Sequence, residues 1–386
     1  MKKISVLGLV ASAVVLVATM PGHSADVSKG IKIGAAGPFT GAAAAPGMEI
    51  FNSIKIAVEE KNAAGGIRGV NVELVMGDDA GDAAQGVNVA EKFCADATMY
   101  GVIGPPMSNV AEATLRIYGG CDLPCITTAA SKPALTEKGY KHFFRVNARD
   151  DAHGPAVGTF IAKDLNARRV YLLNTKDTYS QGYADQVAAT LEKLGVTDIW
   201  RDTIVAGAKD YSPVLTKVKA QNPDVVVVGA KTAPDHAVMV RQMRELGIQA
   251  TYFGAEGAKD KKDFIEASEG AAEGAHMNHF APDIYKISEA QAYVKSYESQ
   301  YGSLSGFGPP AYEAAHILLK AIENAAEDGE ITREEVLKYV AETEDYRGIL
   351  GFPVTFDEKG DLKGGATYIF KVVGNDFELV KVAKGQ

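Results

Sequence analysis

Three carboxylates within five residues, Asp78, Asp79 and Asp82, resemble the start of a calcium loop. A calcium loop would need its glycine later than Gly81 and a closing glutamate, and Gly86, Val87, Asn88, Val89 and Ala90 supply none, so these acids are expected to cap the next helix. His276 and His279 stand three apart in a strand or crossover, a spacing that puts them on opposite faces and does not make a shared metal site. Gly34 to Gly41 is glycine-rich after a strand, yet its helix begins too late for a phosphate or dinucleotide loop. No serine nucleophile elbow or zinc-protease motif is present. What remains are polar residues at the ends of strand-like runs. Ser108 and Ser131 precede helical stretches, where a serine can cap the helix and donate to a carboxylate. Tyr179 follows a strand, and Glu256 sits between Gly254 and Gly257, where a carboxylate can reach into a cleft unhindered.

Those positions depend on a regular alternation. Strand-like runs at Ile31–Gly34, Val72–Met76, Val102–Gly104, Pro124–Thr127, Val170–Asn174, Asp224–Gly229 and Thr251–Gly254 are separated by amphipathic stretches such as Ile50–Ala63, Ala83–Ala95, Gly154–Leu165, Ala184–Leu194 and Ala237–Leu246. This βαβ rhythm predicts α/β architecture with parallel sheets covered on both faces. The unbroken run Val225–Val228 suits a strand buried on both sides. The rhythm restarts after the polar stretch Asn147–His153, gives way near His276–Phe280 to two long helices (Ile287–Tyr301 and Pro310–Ala326), and changes again at Gly348–Pro353 before a hairpin-like end with Gly364 and Gly365 between apolar runs. Three crossings predict two doubly wound lobes: residues 26–147 with 279–350, and 148–278 with 351–386. Such hinges permit closure around a central cleft.

Lys2 and Lys3, an apolar run from Ile4 to Met20, and then Pro21, Gly22, Ser24 and Ala25 have the layout of a cleavable secretory leader, residues 1–25. The run is short for a spanning helix and no cysteine lies near the cut, so neither a membrane anchor nor a lipid anchor is expected. The 361 residues after Ala25 exceed the roughly 250 to 300 at which one core stops growing. Loss of Lys2 and Lys3 takes the formal charge from -9 to -11, which argues against nucleic acid or an anionic membrane as partner. Of the three cysteines, Cys94 and Cys121 fall near helix ends on neighbouring units and are the favoured pair in an oxidising compartment, the alternative being three free thiols with Cys125.

The chain carries, in order, Gly37-Pro38 with Thr40-Gly41, Ala63-Ala64-Gly65-Gly66-Ile67, Asp78-Asp79-Ala80, Val102-Ile103-Gly104, Ile126 to Ser131 with Pro133 and Leu135-Thr136, Tyr179, Gly254 to Gly257, and Asp357 to Asp361. This ordered set resembles the periplasmic leucine/isoleucine/valine-binding proteins, substrate receptors of ABC importers with the type I periplasmic binding fold. The resemblance implies that Ser108, Ala129 and Ser131 of the first lobe hold a ligand carboxylate at two converging helix starts. It also implies that Glu256 pairs with an ammonium and that Tyr179 closes over the ligand. No cofactor and no catalysis are implied, and an inner-membrane permease is the expected partner of a monomeric periplasmic receptor.

Three departures concern the ligand. Pro46 stands where the family has an aromatic residue, Lys231 or Thr232 replaces a tyrosine, and Gly81 and Met107 replace cysteines bridged in some relatives. Lys231 either faces the ligand's carboxylate or is a solvated loop residue, while Phe307 either walls the pocket or packs on the helix that follows it. Arg149 is read as a hinge residue. The leading expectation is capture of a branched-chain or other neutral L-amino acid. The alternatives are a carboxylate without an α-amine, such as an aromatic acid, or a ligand-sensing receptor domain; an exported hydrolase lacks an assembled nucleophile and base.

Overall fold

The computed structural model describes residues 25–384, so the expected leader falls, save for Ala25, outside the described residues. A two-residue strand, β1 (Ala25–Asp26), pairs antiparallel with β12 (Glu330–Ile331). The first large sheet is wholly parallel, in the order β3-β2-β4-β5-β6. Its strands are β2 (Ile31–Gly37), β3 (Val72–Asp78), β4 (Met99–Ile103), β5 (Cys125–Thr127) and β6 (Phe143–Arg145), alternating with α1 (Ala44–Ala63), α2 (Ala83–Ala95), α3 (Ser108–Gly119) and the single turn α4 (Ala134–Glu137). Three later helices, α9 (Gln291–Tyr301), α10 (Gly308–Ala325) and α11 (Arg333–Ala341), return to this lobe, where Leu318 and Ile322 join Ile33, Ile54 and Ile103 in one core.

The second sheet comprises β7 (Arg169–Thr175), β8 (Asp198–Ile204), β9 (Val225–Gly229), β10 (Thr251–Gly254), β11 (His276–His279), β13 (Ala366–Val373) and β14 (Asp376–Lys384). Their order is β14-β13-β11-β10-β9-β7-β8, parallel up to β11 and antiparallel for the last two. Between its strands run α5 (Asp150–Thr159, continued by one wider turn to Asp164), α6 (Thr178–Lys193), α7 (Ser212–Gln221) and α8 (Ala233–Glu245). β9 divides its valines between two cores: Val226 and Val228 pack with Met239, Tyr252 and Phe264, and Val225 and Val227 with Leu172, Val187 and Phe253. The two-lobed parallel α/β architecture anticipated from the rhythm is the one observed.

Several local expectations need correction. Only Asp82 caps α2, accepting from the amides of Ala84 and Gln85; Asp78 instead holds Phe39 and Thr40, and Asp79 holds Gly81. The closing hairpin turns at Gly374-Asn375, not at Gly364-Gly365. Both turn residues have positive φ (57° and 66°), the conformation a two-residue loop needs to match strand twist. α5 and α6 start four and six residues earlier than their apolar periodicity suggested, because their first turns are polar; in α6 the turn is fixed by Asp177, whose side chain accepts from the amides of Tyr179 and Ser180.

Candidate functional site: the cleft between the two sheets

Ligands of open parallel sheets bind beyond the carboxyl ends of the strands. The chain places its candidate residues there from both sides. Ser108 follows β4, Ala129 follows β5, and from the other lobe Tyr179, Lys231 and Glu256 follow β7, β9 and β10. With Pro46 of α1 and Phe307 before α10 they line one cleft that, together with its opening to solvent, holds about 590 Å³ of empty space. Pro38, Ile50, Pro106, Met107 and Phe280 complete a largely apolar wall.

Glu256 is the polar centre of this cavity. It opens a single 3-10 turn after β10 and is 5% exposed. Its Oε1 accepts from Asn278 Nδ2 at 2.7 Å and its Oε2 from the hydroxyl of Tyr179. Asn278 is itself oriented by Tyr183, whose hydroxyl donates to Asn278 Oδ1 at 2.7 Å, and the rings of Tyr179 and Tyr183 stack at 6.1 Å. Burial, with the added repulsion of Asp150, pushes the Glu256 carboxyl up to about 8. Burial also takes Asp150 up to about 7, against the opposing effects of the Ser131 hydroxyl and the Arg145 guanidinium. Glu256, a buried acid that lines the cavity with no paired cation among the described residues, makes this end of the cleft a place where an ammonium is favoured.

The helix starts differ from the expected pair. α3 begins at Ser108 itself, with Met107 at the cap position and no side chain capping it. The Ser108 hydroxyl accepts from the Lys132 amide at 3.3 Å, so it is not a cap. Ser131 does not cap either: α4 starts three residues later and is four residues long. Ser131 is buried beside the Asp150 carboxyl, and it does not line the cavity although Ala129 does. The second helix start at the cleft is that of α6, carrying Tyr179. Lys231 lines the cavity, but its ammonium is 3.0 Å from Asp177; Thr232 turns instead to Asp235, to which its hydroxyl donates at 2.7 Å.

Asn278, Asp150 and Phe280 went unnoticed in the sequence. Asn278 and Phe280 flank His279 in a segment where the histidines drew attention, and both histidines are buried and packed against aromatic rings. Cys94 and Cys121 form a disulfide with Cα atoms 5.8 Å apart, and Cys125 is buried and free.

Residues 30–376 match the periplasmic binding protein family. A Leu/Ile/Val-binding protein of Rhizobium johnstonii is 31% identical over 365 residues, covering 94% of this chain and 96% of that protein. An amino acid binding protein of Pseudomonas aeruginosa is 32% identical over 363 residues, 94% of each. Among solved structures, a leucine-binding protein from Thermotoga maritima superposes with a TM-score of 0.82 at 27% identity, covering 92% of this chain and 98% of the other. The fold, the strand-end cleft and these likenesses agree that the chain belongs to the periplasmic binding protein family and is a substrate receptor, not an enzyme.

Proposed function

We propose that the protein captures a neutral, aliphatic L-amino acid in the periplasm and delivers it to the permease of an ABC importer. The observation that carries this reading is the buried Glu256 carboxylate, oriented by Tyr179 and Asn278 beside an apolar wall. An α-ammonium there neutralises Glu256 and relieves Asp150. The uncapped first turn of α3, with Ser108, offers amide donors to the α-carboxylate, and the side chain meets Pro46, Ile50, Phe280 and Phe307. Ala129 extends the first-lobe contact, while Ser131 lies behind the cavity wall. Closure is proposed to occur about three straps: the one before Asp150, the one after His279, and a third placed at residues 361–366, since Val354 and Phe356 still pack in the first lobe's core.

A carboxylate ligand without an amine fits less well. It would leave Glu256 without a cation, and Lys231, the lysine placed to favour it, is already paired with Asp177. Glu256→Gln tests the reading: a charge-assisted hydrogen bond contributes about 1.5 to 3 kcal/mol, so leucine affinity measured by calorimetry should fall roughly 10- to 150-fold. Unchanged affinity would remove Glu256 from the site.

A further inference from the structure

The loop that brings Phe307 to the cleft is held by one carboxylate. Glu49 of α1, 6% exposed, accepts at Oε2 from the amide (2.9 Å) and hydroxyl (2.5 Å) of Ser305, and at Oε1 from the amides of Gly306 (3.0 Å) and Gly308 (2.6 Å). A buried carboxylate is costly unless donors fill its lone pairs, and here all four donors come from three residues, Ser305, Gly306 and Gly308, of one short loop. Ser305 and Gly306 belong to no helix or strand, so Glu49 supplies the restraint that secondary structure would otherwise give. From the other lobe, buried Lys259 donates to the Ser305 carbonyl at 3.3 Å. The loop is also tightly seated: Gly306 has φ +122°, and a Cβ on Gly308 would lie 2.5 Å from Ser53 Oγ and 2.6 Å from Tyr293 Oη. Phe307, between these glycines, meets His279 and Phe280 edge-on at 5.5 and 5.6 Å and forms part of the cavity wall.

We propose that Glu49 is a specificity-positioning residue: without touching the ligand, it fixes Phe307 and so sets the size of side chain the cleft accepts. The part concerning side chains rests on the amino-acid reading above; the restraint of the loop does not. The first test is therefore ligand-free. In Glu49→Gln one acceptor oxygen becomes an amide donor facing the Ser305 amide, and hydrogen exchange at Ser305, Gly306 and Gly308 should accelerate at least about tenfold. Unaltered protection there overturns the proposal whatever the cleft binds. The second test is a ligand ladder of glycine, alanine, valine and leucine. Glu49→Gln should lose about tenfold or more in leucine affinity and under about twofold for glycine and alanine, and Phe307→Ala should give the same profile. Ser305→Ala, which removes one of the four bonds, keeps the test open should Glu49→Gln not fold, with a weaker loss of the same shape. An equal loss along the ladder, or none, overturns the proposal.

Discussion

Glu256 is held uncharged by its surroundings yet is proposed to meet a cation, and this opposition has a sign that can be measured. Its carboxyl is raised from 4.5 to about 8 in the folded chain, so its contribution to ligand-free stability is present below pH 4.5 and is lost as pH rises through about 8. An ammonium ligand requires the ionised form. Binding should therefore release a proton near neutrality, and affinity should rise by up to about tenfold per pH unit between about pH 6 and 8. Calorimetry in buffers of different ionisation enthalpy reads the proton directly; proton uptake would contradict the assignment. Ser108, Tyr179, Lys231 and Glu256 were legible because each sits just past a strand whose apolar run is plain in the sequence. Asn278 and Glu49 were not, because their partners lie 22 and 256 or more residues away and no local pattern marks them.

At the scale of elements, β9 was readable because burial on both faces removes alternation, whereas β8, at the sheet edge with a mixed burial pattern, left no comparable trace. Helix starts were misplaced where polar first turns, as in α6, hide the apolar period. The end of α2 is tied to the segment after α3 by the Cys94–Cys121 bridge, and around that bridge Arg333 of α11 donates to the carbonyls of Cys94, Cys121, Met99 and Asp96. With 27 residues between its ends, loop-closure entropy assigns the bridge about 3 to 4 kcal/mol. Replacing both cysteines by serine should lower unfolding free energy by about that amount in a denaturant titration. Ligand affinity should change less than about twofold, since neither sulfur lies at the cleft.

In the whole molecule the strap regions are joined by charge. Arg145, fully buried at the end of β6, is ion-paired with Asp361 (2.5 Å), and Arg149, just ahead of α5, reaches Asp361 at 2.8 Å, Glu137 at 2.9 Å and Asp151 at 2.6 Å. Removing one partner leaves a buried guanidinium uncompensated, which costs about 3 to 5 kcal/mol. Asp361→Asn should accordingly destabilise the protein by that order in chemical denaturation, and a change under about 1 kcal/mol would show that the pair is dispensable. Two lobes could be read from chain length and rhythm, but these long-range ion pairs could not, since Asp361 lies 216 residues from Arg145. The central claim is that the closed cleft recognises the α-ammonium of an amino acid. The most direct measurement is a calorimetric comparison of L-leucine with 4-methylpentanoate, the same molecule without its amine. The account predicts that leucine binds and the acid binds at least about tenfold more weakly, as loss of one charge-assisted bond of about 1.5 to 3 kcal/mol requires. Equal affinity for the two would contradict it.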